Sequence, residues 1–175
     1  MIRATTILGL RKGEQAVIGS DGQVTVGETI MKHKAKKVRK MYEGKVLAGF
    51  AGAAADAFTL FERFEVQLDK FRGNLPRAVY ELAKEWRSDR VLRRLEALLA
   101  ILDLKHAYIV SGSGDIIEPE DGIIAIGSGG PFALAACRAL VGFSELSPRA
   151  IVENSIKIAG KISLYSNIEV FIEEL

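Results

Sequence analysis

Thr6-Ile7-Leu8-Gly9-Leu10-Arg11, then Lys12-Gly13-Glu14, then Ala16-Val17-Ile18-Gly19: two short β-rich runs around a glycine-containing tight loop read as a β-hairpin. Downstream, Val46 to Phe50 is a further apolar run, closed by Ala51-Gly52. From Ala53 the spacing turns helical, with Phe58, Phe61, Phe64 and Leu68 recurring every three or four residues. Gly73-Asn74 breaks that helix, and Pro76 suits the first turn of the next. The spacing of Val79, Leu82, Trp86, Leu92, Leu95 and Leu99 carries this second helix to about Leu102. His106 to Val110 and Asp115 to Ile117 form a hairpin around Ser111-Gly112-Ser113-Gly114, and Ile123 to Ile126 is a strand ending at Gly127-Ser128-Gly129-Gly130. Pro131 opens an Ala-rich helix to about Val141, Ser147-Pro148 opens another to about Ser163, and Ile168 to Ile172 closes as a strand. Strands, two helices, strands, two helices and a strand argue against regular βαβ alternation. They fit an α+β domain of two sheets covered by helices.

The 175 residues are the length of one ordinary domain, with no linker or repeat among them. At 49% hydrophobic and 26% charged, the chain fills a core and keeps a polar surface, which excludes intrinsic disorder. Lys and Arg total 24 against 22 Asp and Glu, so the balance does not suit a general polyanion binder. Apolar runs of only a few residues exclude a membrane span, and Met1-Ile2-Arg3-Ala4 lacks the apolar stretch of a secretory signal. One cysteine, Cys137, excludes an intrachain disulfide, and His33 and His106 add too little for a Cys/His metal site. A cytoplasmic single domain is the expectation.

Several short motifs carry two readings each. Thr5 and Thr6 suit a strand start by β-propensity alone. Freed of the four residues before it, however, Thr5 unites a hydroxyl nucleophile and an α-amine base in one residue. Gly19-Ser20-Asp21-Gly22-Gln23 is a turn, or it places a carboxylate at a strand end beside a cation. Lys32 to Lys45 is the most basic stretch, a solvated face or a nucleic-acid patch; only Tyr42 in it offers a stacking ring. A lysine of that run buried at a strand end would lower the pKa of a nearby amine. Gly49-Phe50-Ala51-Gly52 at a strand-to-helix junction permits close packing, or bares backbone N–H groups for an oxyanion. Gly127-Ser128-Gly129-Gly130 before a helix resembles a phosphate cradle but lacks the lysine of a P-loop, so a helix cap reads better. Cys137 on the Ala-rich helix reads as a small core residue.

Together the segments resemble the HslV family, the proteasome-like peptidases of the HslUV protease. The carrying residues are Thr5-Thr6-Ile7, Gly19-Ser20-Asp21-Gly22-Gln23, Lys36-Lys37-Val38-Arg39, and Gly49-Phe50-Ala51-Gly52 running into Ala55-Asp56-Ala57-Phe58-Thr59-Leu60-Phe61. Leu82-Ala83-Lys84-Glu85-Trp86-Arg87, Leu92-Arg93-Arg94-Leu95-Glu96-Ala97-Leu98-Leu99 and Ala125-Ile126-Gly127-Ser128-Gly129-Gly130-Pro131 add to them. The match runs from Thr5 to Ile172-Glu173-Glu174-Leu175; its specificity lies in order and spacing.

The resemblance implies the four-layer αββα sandwich of N-terminal-nucleophile hydrolases and a threonine-type endopeptidase. Its partner would be the HslU ATPase ring, which feeds in unfolded proteins, and its assembly two stacked hexameric rings. This subunit would bind no nucleotide, nucleic acid or membrane. Carried over residue by residue, Thr5 is the nucleophile and base, Lys37 the lysine beside it, and Asp21 the carboxylate holding that lysine. Gly52 N–H is the oxyanion donor, and Ser128 lies near the threonine amine. A monovalent cation, usually sodium, would bind backbone carbonyls of Gly160, Ser163 and Ser166; the family often has Cys and Thr at the last two. Because Met1-Ile2-Arg3-Ala4 precede the threonine, loss of Met1 alone leaves it capped. Residues 1–4 are therefore expected to be a propeptide removed by self-processing, and residues 5–175 the peptidase domain. The alternatives are an amide hydrolase of another substrate class, an unmatured precursor, or a nucleic-acid-binding module using Lys32 to Lys45.

Overall fold

The computed structural model describes residues 5–95 and 97–175. The expected propeptide, residues 1–4, and Glu96 of the quoted motifs lie outside the described residues. The chain opens with strands β1 (Thr6–Lys12), β2 (Gln15–Asp21), β3 (Val24–Val26), β4 (Thr29–Lys32), β5 (Val38–Met41) and β6 (Val46–Ala51). Helices α1 (Ala54–Lys70) and α2 (Leu75–Ser88) follow, then β7 (Leu98–Leu102), β8 (Ala107–Ser111), β9 (Ile116–Ile117) and β10 (Ile123–Gly127). Helices α3 (Gly130–Phe143) and α4 (Pro148–Ile162) precede the last strand, β11 (Val170–Glu174).

One antiparallel sheet runs in the order β10-β1-β2-β11, a second in the order β5-β6-β7-β8-β9, and β3-β4 form a separate ribbon. The β1–β2 hairpin pairs Leu10 with Val17 and Lys12 with Gln15 around Gly13, whose φ of +62° suits glycine. Ile7 and Ile18 face the second sheet and join Leu47, Ala100 and Leu102 in a core between the two sheets. On the other face Leu8, Leu10 and Val17 pack under Ile151, Val152 and Ile156 of α4. Phe61, Phe64 and Leu68 of α1 and Trp86 of α2 cover Leu99 and Ile101 of the second sheet. Helices, sheet, sheet, helices: the layering is αββα. Strands buried on both faces read as continuous apolar runs, which is why β1 and β6 stand out in the sequence.

The helix expected to reach Leu102 stops at Ser88. Asp89 leaves helical geometry, and its Oδ1 accepts from the N–H groups of Val91 (2.7 Å) and Leu92 (3.0 Å). A single 3₁₀ turn at Leu92–Arg94 follows, with its Leu92 carbonyl accepting from Trp86 Nε1 at 2.9 Å. Leu98–Leu102 then forms a central strand between β6 and β8, so the leucines that mimic helical spacing belong to three different elements. The basic stretch hides a strand as well: in β5, Val38 and Met41 are buried while Arg39 and Lys40 face outward. Outward charges on an edge strand discourage pairing with other chains. The last strand lies two residues later than expected, at Val170–Glu174. No helix among the described residues is long and apolar enough to cross a membrane.

Candidate active site

The site forms where the first strands of both sheets meet the loops around 128 and 166. Thr5 is buried immediately before β1. The glycine loop closes directly over it. Gly129 N–H and Ser128 Oγ–H both donate to the Thr5 carbonyl, each at 3.4 Å. A Cβ on Gly127, whose φ is +89°, would stand 2.1 Å from that carbonyl oxygen. The loop that resembles a phosphate cradle is thus occupied with Thr5 backbone. Ser128, expected near the threonine amine, makes its hydrogen bond to the carbonyl.

Asp21, the last residue of β2, has no exposed surface. Its Oδ1 accepts from Thr6 N–H (2.8 Å) and Lys37 Nζ (2.8 Å), and its Oδ2 from Gln23 N–H (3.0 Å) and Asn167 N–H (3.4 Å). Four donors satisfy a buried carboxylate that would otherwise be costly to desolvate. Lys37 Nζ also donates to the Gln23 carbonyl at 2.7 Å. Burial pulls the Lys37 pKa below the ordinary lysine value, and the charge and hydrogen bond of Asp21 offset part of that shift. A cation held in a fixed position beside Thr5 is what the arrangement provides.

Thr5, Lys37 and Gly52 line one cleft of about 550 Å³, with Phe50, Phe58 and Phe61 among its apolar walls. Phe58, aligned with the apolar face of α1 in the sequence, is exposed into this cleft rather than buried with Phe61 and Phe64. Arg39 joins the rim, its guanidinium 4.4 Å over the Phe61 ring. Gly52 follows β6 with φ +155°, and a Cβ there would stand 2.7 Å from the Phe50 ring and 3.0 Å from Ala97. Only glycine fits this turn, two residues before α1 begins.

Gly160 lies in the last turn of α4, Ser163 ends that helix and Ser166 follows in the next loop. A Cβ on Gly160 would stand 2.4 Å from the Asn167 carbonyl oxygen, so the loop folds back onto the helix end. The last carbonyls of a helix lack intrahelical donors, and that of Ser163 accepts from Ser166 N–H at 3.3 Å. No group of His, Cys, Asp or Glu suited to a metal occurs among the described residues.

Two residues without an assigned role in the sequence reading belong to the site. Thr6 Oγ1 and Ser166 Oγ share a buried hydrogen bond of 2.5 Å, linking the strand that follows Thr5 to the α4–β11 loop. Asn167 reaches Asp21 through its backbone and the Gly22–His33 region through its side chain. His33 is exposed and meets the site through its backbone carbonyl, His106 is half-buried between β7 and β8, and Cys137 is in the core of the α3–α4 layer.

A family model described as proteasome subunit matches residues 1–173. Among solved structures, eukaryotic HslV from Trypanosoma brucei is 45% identical, with a TM-score of 0.92 over 97% of this chain and 98% of that one. Thiobacillus denitrificans BPH, in a complex with epoxomicin, is 20% identical with a TM-score of 0.76 over 97% of each chain, a likeness of fold.

Proposed function

The chain belongs to the proteasome subunit family and is a protease subunit of the HslUV type, and on that premise we propose that Thr5 is its N-terminal nucleophile. The observation that carries this reading is one cleft lined by Thr5, Lys37 and Gly52, with Lys37 anchored 2.8 Å from the buried Asp21. Cleavage between Ala4 and Thr5 removes residues 1–4 and frees the α-amine. That amine takes the hydroxyl proton, directly or through a water, as Thr5 Oγ1 bonds to the substrate carbonyl carbon. A free α-amine has a pKa near roughly 7.7–8.0, and the Lys37 charge lowers it toward neutral pH. Asp21 keeps Lys37 charged and oriented. The Gly52 N–H stabilises the oxyanion. Collapse breaks the C–N bond, the threonine ammonium returns its proton to the departing amine, and water hydrolyses the ester left on Thr5. Ser128 holds the Thr5 backbone while these protons move.

The rest of the reading follows the family. The chain assembles into two stacked hexameric rings in the cytoplasm and receives unfolded proteins from an HslU ATPase ring. Nucleotide is handled by that partner, since the 127–130 loop is packed on Thr5. Carbonyls of Gly160, Ser163 and Ser166 would hold a sodium ion that steadies the α4–β11 loop.

Intact mass and peptide turnover test the reading together. Active protein should lack residues 1–4, and turnover should rise only when HslU and ATP are both present. Activity in chains that retain Met1 to Ala4 would overturn the free-amine mechanism. Stimulation by ATP without HslU would overturn the division of labour.

A further inference from the structure

Lys37 reaches Asp21 from the segment 33–37, which has no strand of its own and must be held in place by its neighbours. One main-chain bond joins it to β2's end: Ala35 N–H donates to the Gly22 carbonyl at 2.8 Å. Two ion pairs tie it to the last strand region, Lys36 to Glu173 at 2.6 Å and Lys34 to Glu169 at 4.0 Å. Both lysines are more than half exposed, so these pairs contribute little. Phe50 N–H of β6 donates to the Lys37 carbonyl at 3.4 Å, at the far end of the segment. At its near end the tether is Asn167. Its Nδ2 donates to the His33 carbonyl at 2.9 Å, and its Oδ1 accepts from Gly22 N–H at 3.1 Å. Its own N–H donates to Asp21 Oδ2 at 3.4 Å.

We propose that Asn167 is a positioning residue for the reaction, clamping segment 33–37 to the end of β2 so that Lys37 stands in register with Asp21. The Oδ1 bond from Glu169 N–H, at 3.2 Å, is a local turn that Asn forms for backbone reasons alone. The bonds to Gly22 and His33 are not local. They span 145 and 134 residues and use both ends of the amide, which neither Asp nor Leu reproduces. Gly22 also lies hard against the segment: a Cβ there would stand 2.3 Å from the His33 carbonyl oxygen. Segment, strand end and amide therefore form one close-packed junction, and its output is the position of the Lys37 ammonium.

This inference rests on the proposed roles of Thr5 and Lys37. The test uses Asn167→Leu, which keeps the side chain's forked shape without its hydrogen bonds, and Asn167→Ala should leucine not fold. Peptide turnover is measured against pH with HslU and ATP present, and normalised to the number of processed chains counted by intact mass. We expect kcat per processed site to fall at least about tenfold with KM within about twofold. The acidic limb of kcat/KM should move up by about half a unit or more, because the amine regains a pKa nearer its ordinary value as the lysine charge moves off. An unmoved limb, or a loss explained wholly by fewer processed chains, overturns the proposal. Thr5→Ala is the control: turnover surviving in that variant would overturn the reading of Thr5 itself, whatever Asn167 does.

Discussion

Asp21 and Lys37 meet at 2.8 Å with the carboxylate wholly buried and the lysine side chain 11% exposed. The same Oδ1 holds the backbone N–H of Thr6, the residue after the proposed nucleophile. One oxygen thereby sets the distance between the proposed nucleophile's strand and the lysine proposed to tune its amine.

Lys37→Ala should reduce kcat at least about 100-fold, the scale of losing an acid–base aid. Lys34→Ala, at a side chain 72% exposed and 4.0 Å from Glu169, should stay within about twofold. Steady-state peptide hydrolysis decides it. Equal losses in both variants would mean that the run acts as a diffuse electrostatic surface.

The lowered pKa of Lys37 has opposite consequences for activity and stability. Activity should fall on the alkaline side at a pH below 10.5, the ordinary lysine value, as the buried ammonium loses its proton. Between the lowered pKa and 10.5 the unfolded chain binds more protons than the folded one, so the Lys37 contribution to stability rises with pH. Urea denaturation of the parent and Lys37→Met at several alkaline pH values should show the parent gaining relative to the variant.

Gly52→Ala should cost about 1–3 kcal/mol, because φ +155° and the Phe50 ring at 2.7 Å both oppose a Cβ. It should also lower kcat by moving the N–H proposed to bind the oxyanion. Gly13→Ala supplies the contrast: φ is +62° but nothing lies within 4 Å, so stability drops by about 1–2 kcal/mol and kcat per folded site is unchanged. Thermal melts and turnover separate the two.

Ser20 lies beside Asp21 in β2, fully buried, with no hydrogen-bond partner for its hydroxyl among the described residues. Ser20→Ala removes a polar atom that gains nothing from burial, so stability should hold or rise by up to about 2 kcal/mol. A loss above about 1 kcal/mol in chemical denaturation would contradict this.

The sequence announces α2 and α4 through their caps. Asn74 accepts from Arg77 N–H at 3.1 Å and Ser147 from Ala150 N–H at 3.3 Å, each followed by a proline in the first turn. It conceals β7 and β5. In β7 burial on both faces replaces alternation with an unbroken apolar run, which periodicity alone cannot tell from helix. In β5 two buried residues flank two charged ones, so the basic character dominates. Within the site, Thr5, Lys37, Asp21 and Gly52 are picked out by resemblance, and the structure brings them to one cleft and its buried edge. Asn167 gives no such sign. Its side chain acts on Gly22 and His33 across more than a hundred residues, and no local pattern records a contact of that kind.

Chain order has a further effect through the hydrogen bonds around Thr5. Ser128 bonds Thr5 across 123 residues and Ser166 bonds Thr6 across 160. Synthesis from the N-terminus therefore delivers the threonine first and the two serines that hold its backbone much later. A chain that stops before residue 128 carries Thr5, Asp21, Lys37 and Gly52 but lacks the two serine loops that hold the Thr5–Thr6 backbone. On the proposed reading of Thr5, the order of translation delays the completion of its surroundings until the chain is nearly finished.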